Sequence, residues 1–421
     1  MKKLDTKKII IAIISLVVSI VISKIGDINI QDFDLTDLPA DMLEDPSDFS
    51  DFFEDLNGSS DNSQSDNSSE PSDFEEKNDG EFTVYYDQLS DLQKKIYASM
   101  EKAVSKAESK VTLSNVDIND FERECEKAGV ALQYDHPEYF WFTGGFRYYY
   151  SRGSTLSDIT VEPIYYEYVS GFFDEEDKLD DLKKAVKNLS SLAKQHSNDD
   201  YERIIFVHDY LIKNAIYDHD ALNEYYKTSR SPSCEYIFSS YGCLVNGKTV
   251  CSGYAKAFQL IMRELGYDST YVVGDAGERH GWNCVYLDGE GYFVDVTWDD
   301  GDLKTEVPFY NYAFITDEML SRTHKIDMPF KMPACTETEY NYFIKNGYYL
   351  DKYNFNSASA IISKQVNNDA AYIMFGSKYE LSKAVKDLCD SGRINIISGI
   401  KKGTYFYQNE DHYTLTFIFK S

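Results

Sequence analysis

The chain has 421 residues, 43% of them hydrophobic, and a formal net charge of −29. That length holds two or three domains of ordinary size, and the apolar content allows a packed core. The acidic balance excludes nucleic acid as a partner and anionic lipid head groups as a docking surface, because both need basic protein surface.

At the N-terminus, MKKLDTKK precedes an apolar run from Ile9 to Ile25. Basic residues ahead of such a run mark a signal anchor or signal peptide over residues 1–25. The run meets the lower limit of about 17 residues for a spanning helix. No small-x-small cleavage site follows, which favours an uncleaved single-pass anchor. Lysines before the span place the rest of the chain outside the cytoplasm. The expected location is the cell membrane with an extracytoplasmic catalytic domain, or secretion if the signal is cleaved. The membrane is contacted through this helix only.

Eighteen acids and one lysine lie between Asp27 and Asp79, a net of −17 that leaves −12 for everything else. Ser59 to Asp73 is polar and of low complexity, and buries too little surface to offset its ordering entropy. Residues 26–80 therefore read as an acidic disordered linker.

Order is expected from Glu81. Leu89, Leu92, Ile96, Met100 and Val104 recur at helical steps, predicting a helix over Asp87–Lys106. A second helix is predicted over Asp120–Ala128. The segments RYYYS and ITVEPIYYEYV are rich in Tyr and β-branched residues and read as strands. Two further helices follow, Asp174–His196 and Asp199–Ile216, with Asn198 or Asp199 as N-cap of the second. Residues 81–198 form an N-terminal α/β module in this reading.

The block from Tyr241 to Gly301 has a different texture. Ala255, Phe258, Ile261, Met262 and Leu265 share one face of a helix starting just after Cys251, with Gly266 as its C-cap. STYVVGD reads as a strand. HGWNCVYL and GYFVDVTW read as a hairpin turning at Asp288-Gly289-Glu290-Gly291. This places a helix and then an antiparallel sheet in a core over 199–330. In 331–421, AAYIMFG, KYELSKAVKDLCD and YTLTFIFK give strand, helix and strand, a small C-terminal α+β module. There is no internal repeat.

Seven cysteines occur, at 125, 234, 243, 251, 284, 335 and 389. Six could pair and leave one free; the reading favoured here is that most are buried apolar residues. Cys251 differs because it sits at the first turn of a predicted helix. Orphan N–H groups and the helix dipole favour an anion there. Gly253 beside it is expected to let a substrate backbone approach. His280 opens the first hairpin strand and Asp295 lies on the second, so strand pairing can bring carboxylate to imidazole. Asp299 and Asp300 read as turn or surface acids. Cys243, Cys251, His280 and Cys284 form a competing metal constellation, but without C-x-x-C or H-x-x-x-H the zinc spacing is poor. No calcium loop of EF-hand pattern occurs. Neither a metal nor a cofactor is expected.

TVCSGYAKAFQLIMRELGY followed by HGWNCVYLDGEGYFVDVTWDD resembles the core of the transglutaminase-like superfamily. The family pattern has a Cys at a helix start, a His in H-x-W-N and an Asp in D-x-T-W. These match Cys251, His280-Gly281-Trp282-Asn283 and Asp295-Val296-Thr297-Trp298, with Gly281 where Ala is frequent. VHDYLIKNAIYD resembles the helix before the core, and the flanking modules resemble those of surface-anchored bacterial members. The resemblance implies an α+β fold with a papain-like core over roughly 200–315. It also implies a Cys251, His280, Asp295 triad attacking an amide carbonyl through a thioester, on protein or cell-wall peptide. The oxyanion would be held by the Cys251 N–H and an upstream donor, for which Tyr217 is the candidate. Trp282 and Trp298 are read either as walls of the substrate slot or as core aromatics. Transamidation and hydrolysis by a cysteine peptidase both remain open. A non-catalytic surface scaffold that retains the fold is the alternative of another class.

Overall fold

The computed structural model describes residues 83–117, 121–150, 156–166, 177–228, 232–301, 307–400 and 404–419. The expected anchor at 1–25 and the acidic linker at 26–80 lie outside the described residues. Among the described residues, no helix is long and apolar enough to cross a membrane.

The first helix, Asp91–Ser105, begins with a reciprocal capping box between Ser90 and Gln93, which satisfies two otherwise orphaned N–H groups. It buries Ile96, Tyr97, Met100 and Val104. The second helix, Phe121–Asp135, runs past the expected end at Ala128. Gly129 is accommodated within it, Ala131 and Leu132 keep its buried face going, and the first proline is Pro137. Strands β1 (Val111–Asp117), β2 (Phe142–Tyr150) and β3 (Leu156–Tyr165) form an antiparallel sheet in the order β1-β3-β2.

Helix Asp177–His196 is followed by Asp200–Asn214, capped by Asp199, which accepts from the Glu202 N–H at 3.0 Å. The second helix stops two residues short of the expected Ile216. There the backbone leaves to pair as β4 (Ile216–Tyr217) with β5 (Lys248–Thr249), in parallel. That pairing delivers the chain to the Cys251–Leu265 helix. This helix buries Tyr254, Ala255, Phe258, Ile261 and Met262, and ends on Gly266 at φ 89°, a left-handed conformation that glycine adopts without a Cβ penalty.

The helix packs on a five-stranded antiparallel sheet of order β10-β6-β7-β8-β9. Its strands are β6 (Ser269–Asp275), β7 (Arg279–Leu287), β8 (Glu290–Val294), β9 (Ala313–Ile315) and β10 (Lys325–Ile326). The β7–β8 turn is the two residues Asp288 and Gly289, both at positive φ, as tight hairpins that match strand twist require. Glu290 and Gly291 already belong to β8. The expected second strand is shorter than GYFVDVTW. It ends at Val294, and Val296–Asp300 coils into a short helix.

In the C-terminal part, β11 (Tyr349–Leu350), β12 (Ala370–Phe375), β13 (Tyr405–Asn409) and β14 (Thr414–Ile418) form a sheet of order β11-β12-β14-β13. The helix expected over 378–390 is α-helical to Ala384 and continues from Val385 to Asp390 with π-type turns. Ile362, Ile373, Phe375, Leu381, Leu415 and Phe417 give this part its own apolar core. It is tied to the segment leading into β9 by Tyr372, whose hydroxyl donates to Pro308 O at 2.9 Å. The architecture is α+β, with a helix-start cysteine lying against an antiparallel sheet.

Candidate active site

Cys251 is the first residue of its helix, and no side chain caps that turn. The entry is fixed from outside the helix: Val250 N–H and the Thr249 hydroxyl both donate to Ile237 O, at 3.0 Å each. Gly253 has a different role from the expected one. A Cβ there would meet Thr249 Oγ1 at 1.9 Å, Ile237 O at 2.7 Å and Ser239 O at 2.8 Å. The space beside Gly253 holds the preceding backbone, so the glycine seats the helix start and leaves no approach path for substrate.

His280 and Asp295 are brought together. His280 Nε2 and Asp295 Oδ2 are 2.7 Å apart, and both side chains are buried. Direct strand pairing is not the cause. The β7–β8 ladder stops at the Asn283–Val294 pair, short of His280. Asp295 lies just past β8, as N-cap of the Val296–Asp300 helix. Its Oδ1 accepts from Trp298 N–H at 3.1 Å, while its own N–H donates to Tyr312 O at 3.1 Å. The strand-to-helix change turns the carboxylate toward His280.

With Nε2 committed to Asp295, Nδ1 is the nitrogen of His280 left for the thiol. Burial alone pulls the His280 pKa down. The Asp295 carboxylate, and then Cys251, outweigh burial, and the imidazole is pushed up to about 10. Burial likewise raises Asp295, but His280 and His324 hold it well below the usual carboxylate range. The His280 imidazole is thus held towards its charged form beside a carboxylate, with Cys251 acting on the same ring.

Other residues at this centre carry no motif in the sequence. His324 Nε2 lies 3.1 Å from the same Asp295 Oδ2; its setting, SRTHKID, has no spacing that flags it. Asp299 is fully buried, contrary to its reading as a turn or surface acid. It accepts from Tyr312 N–H at 3.0 Å and faces His208 Nε2 at 3.2 Å. Asp300 is also structured, accepting from the Tyr254 hydroxyl at 2.9 Å. The two tryptophans divide between the two readings. Trp282 is core, 1% exposed and stacked at 5.9 Å on His280, whereas Trp298 is partly exposed and walls the cleft.

That cleft, of about 290 Å³, is lined by Tyr217, His219, Glu278, His280, Trp298 and Asp300 among others. Tyr217 thus faces the same space as His280. A second hollow of about 170 Å³ shares Trp298 and Gly301 and is walled by Phe309, Tyr407 and Gln408. Among the described residues, the group able to hold a metal is His280, Asp295 and His324, with ligand atoms within 4.8 Å of one another. Cys243 and Cys284, which the competing metal constellation required, are not in that group. Cys284 instead lies 3.7 Å from Cys335, sulfur to sulfur.

Residues 188–296 match the family model of the transglutaminase-like superfamily. The chain is similar to the kyphoscoliosis peptidase of Mus musculus, 27% identical over 156 residues, covering 34% of this chain and 22% of that protein. It is similarly related to the Homo sapiens kyphoscoliosis peptidase, 27% identical over 155 residues with the same coverage. The aligned stretch thus spans about a fifth of the length of these curated relatives. A solved structure described as a TGase is 15% identical, with a TM-score of 0.26, over 45% of this chain and 50% of that one.

Proposed function

We propose that this chain, which carries a transglutaminase-like core, is a thiol acyltransferase or hydrolase in which Cys251 attacks an amide carbonyl. The observation that carries the reading is the buried 2.7 Å contact between His280 Nε2 and Asp295 Oδ2. It leaves the opposite ring nitrogen for a cysteine at an uncapped helix N-terminus.

In this reaction the Cys251 proton already sits on His280 when the sulfur forms its bond to the carbonyl carbon. The carbonyl π electrons move onto oxygen, held by the Cys251 N–H and, as candidate second donor, the Tyr217 hydroxyl. Collapse breaks the C–N bond, and the imidazolium delivers its proton to the departing nitrogen. The product is a thioester. An amine or water then attacks the same carbon, its proton returns to His280, and the C–S bond breaks. Asp295 holds the imidazole in the orientation and tautomer that both steps need.

The substrate class proposed is protein or peptide. The name of the curated relatives, a peptidase, supports an amide substrate. Glu278 and Asp300 on the cleft support cationic side chains near the reacting centre. Sequence alone supports the further reading that residues 1–25 anchor the enzyme and that it acts outside the cytoplasm, on surface or cell-wall peptide.

The test is incubation with a glutamine peptide and a labelled primary amine, scoring adduct, hydrolysis and a thioester mass on Cys251. Adduct identifies a transamidase and hydrolysis alone a peptidase or amidase. If neither product forms and iodoacetamide finds Cys251 no more reactive than the other cysteines, the reading fails in favour of a non-catalytic scaffold.

A further inference from the structure

Asp295 is held by two imidazoles. Its Oδ2 faces His280 Nε2 at 2.7 Å and His324 Nε2 at 3.1 Å. A carboxylate only accepts hydrogen bonds, so both nitrogens facing it carry protons. For His324 the tautomer is set on its other side, where the Thr323 hydroxyl lies 2.8 Å from Nδ1 and can donate to it. A neutral His324 therefore suffices as donor. Combined with Trp298 N–H on Oδ1, both carboxylate oxygens are pinned and rotation about the Asp295 side chain is blocked.

The His324 ring is itself held. It is 5% exposed and lies between Trp298 at 4.5 Å, Trp282 at 4.9 Å and Tyr312 at 5.3 Å, centroid to centroid. Strand β10 brings it there, pairing Ile326 with Gly274 on β6. A Cβ on Gly274 would come within 2.1 Å of Lys325 O, so the close approach of β10 requires glycine at that position. Of the ionisable groups nearby, His280 and Asp295 face His324 directly. His412, whose pKa burial and then Arg322 and His324 pull down to about 3, stays neutral.

We infer that His324 is a positioning residue whose N–H donor fixes the Asp295 carboxylate and thereby aims His280 at Cys251. The inference rests on the catalytic reading of Cys251, His280 and Asp295 given above. It gives this histidine, which reaches the site from the loop after β9, a role that neither motif in the sequence carries.

The experiment compares the full chain with His324→Leu, similar in volume but without a donor, and His324→Gln, which keeps an N–H at similar reach. The primary readout is the rate of Cys251 alkylation by iodoacetamide against pH, which needs no substrate. Metal content and melting temperature are measured on the same preparations. The expected result is a loss on the order of tenfold in alkylation rate at pH 6 in His324→Leu, with most of it recovered in His324→Gln. Equal profiles for His324→Leu and the parent chain overturn the inference, as do equal losses in both variants. So does one metal ion per parent chain that His324→Gln lacks, which would make His324 a ligand. If Cys251 in the parent chain is not selectively alkylated at all, it is the catalytic reading that fails.

Discussion

His208, on the Asp200–Asn214 helix, and Asp299, on the short helix that Asp295 caps, form a second buried imidazole–carboxylate pair, Nε2 to Oδ2 at 3.2 Å. Asp299 also accepts from Tyr312 N–H, and Tyr312 O accepts from Asp295 N–H. The pair therefore braces the turn that presents the Asp295 carboxylate. Removing His208 leaves the buried Asp299 carboxylate without its imidazole partner, a loss of about 3–5 kcal/mol, whereas removing Asp299 leaves His208 its bond to Asp209. His208→Ala should lower urea stability by that order and Asp299→Ala by less; a change under about 1 kcal/mol in His208→Ala would show that the brace is dispensable.

The same pair has a signature against pH. Burial pulls the His208 pKa down, but the hydrogen bonds it donates to the Asp209 and Asp299 carboxylates outweigh burial and push it up to about 9. A pKa above the unfolded value gives stability that is fully present below about 6.5 and fades as pH rises through about 9. Denaturation midpoints of the parent chain should fall across that window, and His208→Gln should flatten the fall. A parallel decline in the variant would place the effect elsewhere.

For the proposed catalytic centre the sign concerns rate. His280 is held protonated up to about pH 10, with Asp295 as the largest opposing influence to burial. If the imidazolium is the acid that frees the leaving nitrogen, kcat/KM should fall on the alkaline side near pH 10. In Asp295→Asn that limb should move to lower pH, with kcat reduced on the order of 10⁴-fold, as for the equivalent change in a serine triad. An unmoved limb would disconnect His280 from the reaction.

Thiol labelling should be selective. Cys251 and Cys389 are partly exposed, and the other five cysteines are buried. Burial pushes Cys389 up to about 12, so at neutral pH only roughly one part in 10⁵ of it is thiolate. Peptide mapping after brief iodoacetamide treatment should find the label on Cys251. Comparable labelling of Cys389 would remove the case for an activated thiol.

Gly253→Ala tests how the helix start is seated. The added methyl would overlap Thr249 Oγ1 and two backbone carbonyls, and overpacking of this kind costs about 1–3 kcal/mol. Melting temperature should drop and Cys251 alkylation should slow. An unchanged protein would return Gly253 to the role of admitting substrate.

How much of this was legible in the chain depends on range. The Cys251 helix with its Gly266 stop, β6, and the Asp288-Gly289 turn follow from periodicity and turn chemistry, which act over a few residues. The three residues of the candidate triad could be named because each stands in its own local motif. The end of β8 at Val294 was missed because an alternating pattern continues through Trp298. There, side-chain capping by Asp295 and the ladder's end overrode the strand preference. His324, and the burial of Asp299 against His208, had no local signal. Both depend on contacts between residues 29 and 91 positions apart, and on β10 closing over a glycine that only the assembled sheet requires. Sequence alone thus named Cys251, His280 and Asp295; the tertiary structure decided what holds Asp295 still, because a hydrogen bond is set by proximity in space and leaves no spacing in the chain.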